Sequence, residues 1–156
     1  MKNYKQKTAD VPQAKRIFNP APVTDYMVPA KKLITFRPDT DIMEVVETLL
    51  KYHITGAPVL DEKGALVGLI DDKDCLKVLI DTAYHNQQIG DTSIARYMTN
   101  VMKSISHKAT IVEVADQFLN TKYKRLLVLD DDKRLVGQIS RQDILSAIRD
   151  FYDDFV

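Results

Sequence analysis

The chain carries one unit twice. Residues 33–76 align with residues 102–145 at a constant offset of 69, without a gap, and 13 of those 44 positions are identical. The identities are Ile42/Ile111, Glu44/Glu113, Val45/Val114, Leu50/Leu119, the runs Val59–Asp61/Val128–Asp130 and Leu66–Gly68/Leu135–Gly137, Ile70/Ile139, Asp74/Asp143 and Leu76/Leu145. Tyr26-Met27 also recurs as Tyr97-Met98, at an offset of 71. Two copies of about 60 residues are too few for a solenoid and each is marginal alone, so they must bury their apolar faces on each other.

Each copy reads as β-α-β-β-α. Short apolar stretches, "KLITF" and "MKSIS", come first. Thr110-x-x-Glu113 is a capping box and Asp41-x-x-Glu44 a close variant. Behind these caps, Ile42, Val45, Val46, Leu49 and Leu50 recur at helical spacing, as do Ile111, Val114, Ala115, Phe118 and Leu119, giving stripes expected to be buried. Two strands follow in each copy, joined by the acidic turns Asp-Glu-Lys-Gly and Asp-Asp-Asp-Lys. Second helices are expected over 73–82, with Leu76, Leu79 and Ile80 apolar, and over 142–152, with Ile144, Leu145 and Ile148. The fold class is α+β: two β-α-β-β-α repeats packed sheet to sheet about a pseudo-two-fold axis. The domains read as an arm over 1–22, repeats over 23–82 and 97–152, and a polar linker over 83–96 that contains Gly90.

The polar cluster Ser140-Arg141-Gln142-Asp143 interrupts a strand that runs into a helix. Serine caps a helix well, and an acid in the first turn suits its dipole. The same geometry suits a ligand, because a helix start offers unpaired amides to a phosphate and a carboxylate can accept from two ribose hydroxyls. Composition narrows the alternatives. The formal net charge is zero, so no global field recruits nucleic acid, and no run approaches the ~18 apolar residues of a membrane helix. The single cysteine, Cys75, on the apolar side of a helix, reads as packing. His53, His85 and His107 are dispersed, and no nucleophile–base pattern, helix-turn-helix or calcium loop is visible. Lys2, Lys5, Lys7, Lys15 and Arg16 make the first residues basic, read as a solvated lead-in. The first residues also lack the apolar core of a signal peptide, so a non-catalytic cytoplasmic protein is expected.

"DYMVP" and "RYMT", "ITGAPVLDEKGALVGLI" and "KRLLVLDDDKRLVGQISRQDIL" together resemble the tandem CBS-domain pair, or Bateman module, over about residues 23–150. The resemblance implies a regulatory sensor of an adenine nucleotide (AMP, ADP or ATP) or of S-adenosylmethionine. It implies a ligand cleft shared between repeats, with Asp143 on the ribose and Ser140 near phosphate. Leu33, Ile34 and Thr35, then Ile54, Thr55, Gly56 and Ala57, would wall the adenine, with Ile139 as an apolar face and Arg141 beside the phosphate. A second, weaker cleft would belong to Asp74, with Ser104, and with Lys124 and Arg125 facing it or the centre between the clefts. There Asp71 stands where Ser140 stands, and "DDKD" would repel phosphate unless Lys73 or a metal compensates. The resemblance also implies a homodimer through helices, with Phe151, Tyr152 and Phe155 as packing aromatics. The competing reading is an interaction or dimerisation module with an empty cleft.

Overall fold

The computed structural model describes residues 19–84, 91–100 and 103–155. The basic residues before Phe18, His85 and Gly90, Met102 and the side chain of Phe155 fall outside them. The order is β1 (Val28–Pro29), α1 (Ile42–Tyr52), β2 (Gly56–Leu60), β3 (Leu66–Asp71), α2 (Asp72–Tyr84), β4 (Ser104–Ser106), α3 (Ile111–Asn120), β5 (Arg125–Leu129), β6 (Leu135–Ser140) and α4 (Arg141–Phe155). Among the described residues, three single-turn 3-10 helices, Val23–Asp25, Ala30–Lys32 and Ile94–Arg96, punctuate the connections.

Local chemistry explains the helix starts. Thr110 and Glu113 form the reciprocal capping box of α3, and the Asp41 side chain accepts from the Met43 amide to open α1. β5 and β6 pair antiparallel, as do β2 and β3, and each hairpin has one register shift, at Val128/Leu129 and at Val59/Leu60. The acidic turns are not left to solvent. Leu66 N donates to Lys133 O at 3.1 Å and Leu135 N to Gly64 O at 3.1 Å, so the two turns hydrogen-bond to each other across the pseudo-two-fold.

The first repeat lacks most of its expected first strand. Within "KLITF" only Phe36 pairs, in parallel with Val59, whereas β4 runs over Ser104–Ser106 beside β5. The cause is Pro58. A parallel ladder continued back to Ile34 would need the amide of residue 58 as donor, and proline has none. Leu127 holds that position in the second repeat and keeps its N–H.

The repeats exchange their leading segments. Val28 and Pro29 pair with Gln138 and Gly137 of the second repeat, while Thr99 bridges Leu69 of the first. One core gathers Val23 with Ile111, Val114, Leu126, Val128 and Ile139; the other gathers Ile94 and Tyr97 with Ile42, Val45, Val59 and Ile70. Residues 91–96 are therefore not a spacer: Ile94 is fully buried in the first core.

The helix stripes also differ from expectation. Ile42, Val45 and Leu49 are buried, as are Ile111, Val114 and Phe118. Leu50 and Leu119 are 70% and 85% exposed, and Leu76, Leu79, Ile80, Leu145, Ile148 and Tyr152 are exposed as well. Each helix carries a wider apolar arc than one sheet can cover. No helix among the described residues is long and apolar enough to cross a membrane.

Candidate functional site

Both strand-to-helix junctions are built as reciprocal caps. At the second, Asp143 Oδ2 accepts from Ser140 N at 2.9 Å and Ser140 Oγ accepts from Asp143 N at 3.2 Å. Asp143 is half-buried, and among the described residues its Oδ1 accepts nothing. Across the hairpin, Arg125 lies opposite Ser140, and Arg141 N donates to Lys124 O at 3.2 Å. Opposite residues of an antiparallel pair share a face. Arg125 thus stands on the Ser140 face, within the second repeat, and Lys124 and Arg141 flank it. Gly56 has the same place in the first repeat, opposite Asp71, so the register pairs each of these positions with its own junction and leaves open which cleft its side chain serves.

The first junction is closed. Asp74 Oδ2 accepts from Asp71 N at 3.0 Å, and Asp71 Oδ1 accepts from Asp74 N at 2.9 Å. Lys77 Nζ then takes Asp74 Oδ1 at 3.1 Å and reaches Tyr97 O at 3.4 Å. Asp74 is only 5% exposed. Lys77, rather than Lys73 or a metal, supplies the compensating charge, and both oxygens of Asp74 are taken. In the second repeat Ser146 holds the position of Lys77, and Asp143 has no ion-pair partner among the described residues.

The remaining expected residues sort by burial. Ile34, Thr35, Ile54 and Gly56 are half-buried and Thr55 is exposed, while Ile34 and Ile54 pack against the first core. Ala57 and Ile139 are buried core residues, at 5% and 0% exposure, so their side chains face packing rather than a cleft. Gly56 sits opposite Asp71, where a Cβ would meet Ile70 O at 3.0 Å and Asp71 Cβ at 3.1 Å, so its small size serves strand packing. Leu33 follows the Ala30–Lys32 turn, which packs along β6 and carries the chain from the second repeat back to the first. Ser104 is exposed at the start of β4, opposite Leu127.

Burial raises the Asp71 carboxyl above its ordinary value, and the neighbouring Asp74 and Asp72 charges add to this, against the lowering hydrogen bond from the Asp74 amide. Ionised Asp71 therefore lowers stability above its folded value. That penalty fades as pH falls through the folded value and is gone below the free carboxylate's 3.8. Asp71→Asn keeps an oxygen for the Asp74 amide and removes the charge. It is expected to raise the melting temperature at neutral pH, with the gain vanishing in acid below that value; a gain equal at both ends of a pH series of melting curves would contradict the assignment. The Cys75 thiol is also pushed up, by burial first and then by Asp74, Asp71 and Asp72, which suits a packing residue rather than a nucleophile.

Residues 23–81 and 94–150 match the CBS domain family model, and the chain belongs to that family, as a tandem pair. It is 28% identical over 148 residues to the CBS domain-containing protein CBSX1, chloroplastic, of Arabidopsis thaliana, across 80% of this chain and 63% of that protein; it thus spans less than two thirds of that relative's length. The crystal structure of CBSX2 in complex with AMP superposes with a TM-score of 0.72 at 26% identity, covering 85% of this chain and 98% of that one. The CBS domain pair of MJ0100, in complex with 5-methylthioadenosine and S-adenosyl-L-methionine, gives 0.62 at 27% identity, over 83% and 97%.

Proposed function

We propose that this chain is a non-catalytic regulatory module that binds an adenine nucleotide in the cleft owned by Asp143. The observation that carries this reading is the contrast between the two carboxylates: one oxygen of Asp143 has no partner among the described residues, and both oxygens of Asp74 are occupied. In the binding pose Asp143 Oδ1 accepts from the ribose hydroxyls, the Ser140 hydroxyl and the start of α4 receive phosphate, and Arg141 adds charge. Thr35, Thr55 and the backbone at Ile54 and Gly56 form the far wall. Ala57 and Ile139 contribute backbone at most. The adenosine shared by the ligands of the CBSX2 and MJ0100 structures supports an adenine ligand.

Ligand binding shifts this module only by differential affinity for two arrangements of the repeats, or of two modules, and a partner protein would sense that shift. The test is a thermal-shift series with AMP, ADP, ATP and S-adenosylmethionine. A ligand at 100 times its Kd stabilises by about 2.7 kcal/mol, a rise of several degrees in a domain of this size. No shift with any of the four, together with an unchanged Asp143→Ala variant, would sink the reading.

A second reading, a homodimerisation module, rests on the exposed Leu50, Leu119, Leu76 and Leu145 on the four helices. Sedimentation velocity on the same samples separates the two. A dimer without ligand response supports the second alone; a ligand response supports the first whatever the oligomeric state.

A further inference from the structure

We propose that the groove between α2 and the Ile94–Tyr97 segment is a second binding site, outside both clefts, for a small organic anion that carries an apolar part. The groove has a volume of about 310 Å³. Lys73, Lys77 and Arg96 line it with the carboxylate of Asp81; Lys77 is already paired with Asp74, which leaves Lys73 and Arg96 as the cations for a ligand. Its apolar wall is Leu76 and Ile80, which are 61% and 47% exposed. Such a volume lies at the small end of ligand sites, the size of a phosphorylated or carboxylated ring rather than of a dinucleotide.

The internal repeat supplies the control. Asp81 corresponds to Asp150 at the offset of 69, and Tyr97 to Tyr26 at the offset of 71. In the second repeat the Tyr26 hydroxyl donates to Asp150 Oδ2 at 2.8 Å, so tyrosine and helix are tied directly. In the first repeat that link is absent: Tyr97 is 3% exposed, and its hydroxyl is buried with no partner among the described residues. Buried polar groups are rarely left unpaired, and such a group costs about 1–3 kcal/mol. Asp81 and Tyr97, the two residues that would meet if the first repeat followed the second, both line the groove; the Tyr97 hydroxyl is covered as it stands, and a small outward turn of the ring would let an acceptor oxygen of a ligand supply the missing partner.

The charge change points the same way. Lys73, Lys77 and Arg96 are replaced by Gln142, Ser146 and Asp25 in the other repeat, where the one basic counterpart is Arg149 in place of Ile80, and it is paired with Asp150 at 3.7 Å. Lys73 makes no ion pair among the described residues, and the one side-chain hydrogen bond of Arg96 among them is to Asp91 O at 3.5 Å, with the Asp91 carboxylate near enough to feel its charge. Arg96 therefore has its planar fork available for a carboxylate or phosphate. A bare inorganic anion would leave Leu76 and Ile80 unused.

The test is titration of the full chain with phenyl phosphate, followed by ¹H–¹⁵N NMR. Saturable shifts are expected at Lys73, Leu76, Ile80 and Tyr97. The double variant Lys73→Ala/Arg96→Ala is expected to weaken binding at least tenfold, while Asp143→Ala leaves it unchanged, which separates this site from the nucleotide cleft. Tyr97→Phe is expected to weaken binding without lowering the melting temperature, since it removes an unpaired hydroxyl; a purely structural tyrosine would do the reverse. Shifts that do not saturate, or a double variant that binds as wild type, overturn the site. Inorganic phosphate binding as tightly as phenyl phosphate overturns its apolar half.

Discussion

Gly137→Ala is expected to destabilise the chain by about 2–3 kcal/mol, the upper range for overpacking a filled core, and clearly more than Gly68→Ala. A Cβ at Gly137 would lie 2.5 Å from Met27 Sδ and 2.6 Å from Val28 O. The thioether can move. The carbonyl belongs to β1, whose pairing with Gly137 and Gln138 fixes the exchanged leading segment on the second repeat. At Gly68 the nearest atom is again a methionine sulfur, Met98 Sδ at 2.7 Å, but the carbonyl of Thr99 stands back at 3.2 Å. The first repeat can therefore yield where the second must shift backbone. Urea unfolding midpoints of the two variants measure the difference. Met27→Ala in the Gly137→Ala background is expected to recover little, because the carbonyl remains. Equal losses at both glycines would show that the sulfur contacts dominate and that the β1 backbone is not the rigid element.

The glycine pair also shows where sequence reasoning stopped. Tyr-Met recurs at an offset of 71 while the rest recurs at 69, which marks these dipeptides as a separate piece. Nothing local, however, says that Met27 packs on Gly137, 110 positions away. The helices, caps and hairpins were legible because their signals are local: Thr110 and Glu113, the 3.6 period, the acidic turns. The loss of the first strand was legible in principle, since Pro58 cannot donate to a ladder. The exposed Leu50 and Leu119 were not, because periodicity marks an apolar face without saying what covers it. The position of Arg125 was hidden by the bulge between Val128 and Leu129. Counting back from Leu129 opposite Leu135 in an unbroken ladder puts Arg125 opposite Ile139, on the core face. The one-residue shift puts it opposite Ser140. Lys77 had a visible signal, its i,i+3 spacing from Asp74 and its replacement by Ser146 in the other copy.

That replacement leads to the stoichiometry of binding. The wild-type chain is expected to bind one nucleotide, and Asp143→Ala to lose it by about 100-fold, on the basis of one or two charge-assisted hydrogen bonds at roughly 1.5–3 kcal/mol each. The double variant Asp71→Ser/Lys77→Ser gives the first junction the polar residues of the second. It frees Asp74 Oδ1, removes one of the acids at the helix start and adds a hydroxyl, and it is expected to raise the stoichiometry in isothermal titration calorimetry from one to two. Withdrawing Lys77 leaves a carboxylate that is 5% exposed without its ion-pair partner, so some stability is lost. Lys77→Ser alone is expected to bind the second nucleotide poorly, because Asp71 and Asp72 still face the phosphate. A double variant that folds, keeps its first site and still binds one equivalent would mean that Lys77 is not what closes the cleft, and the cause would then lie in the Gly56–Asp71 packing that narrows the strand ends.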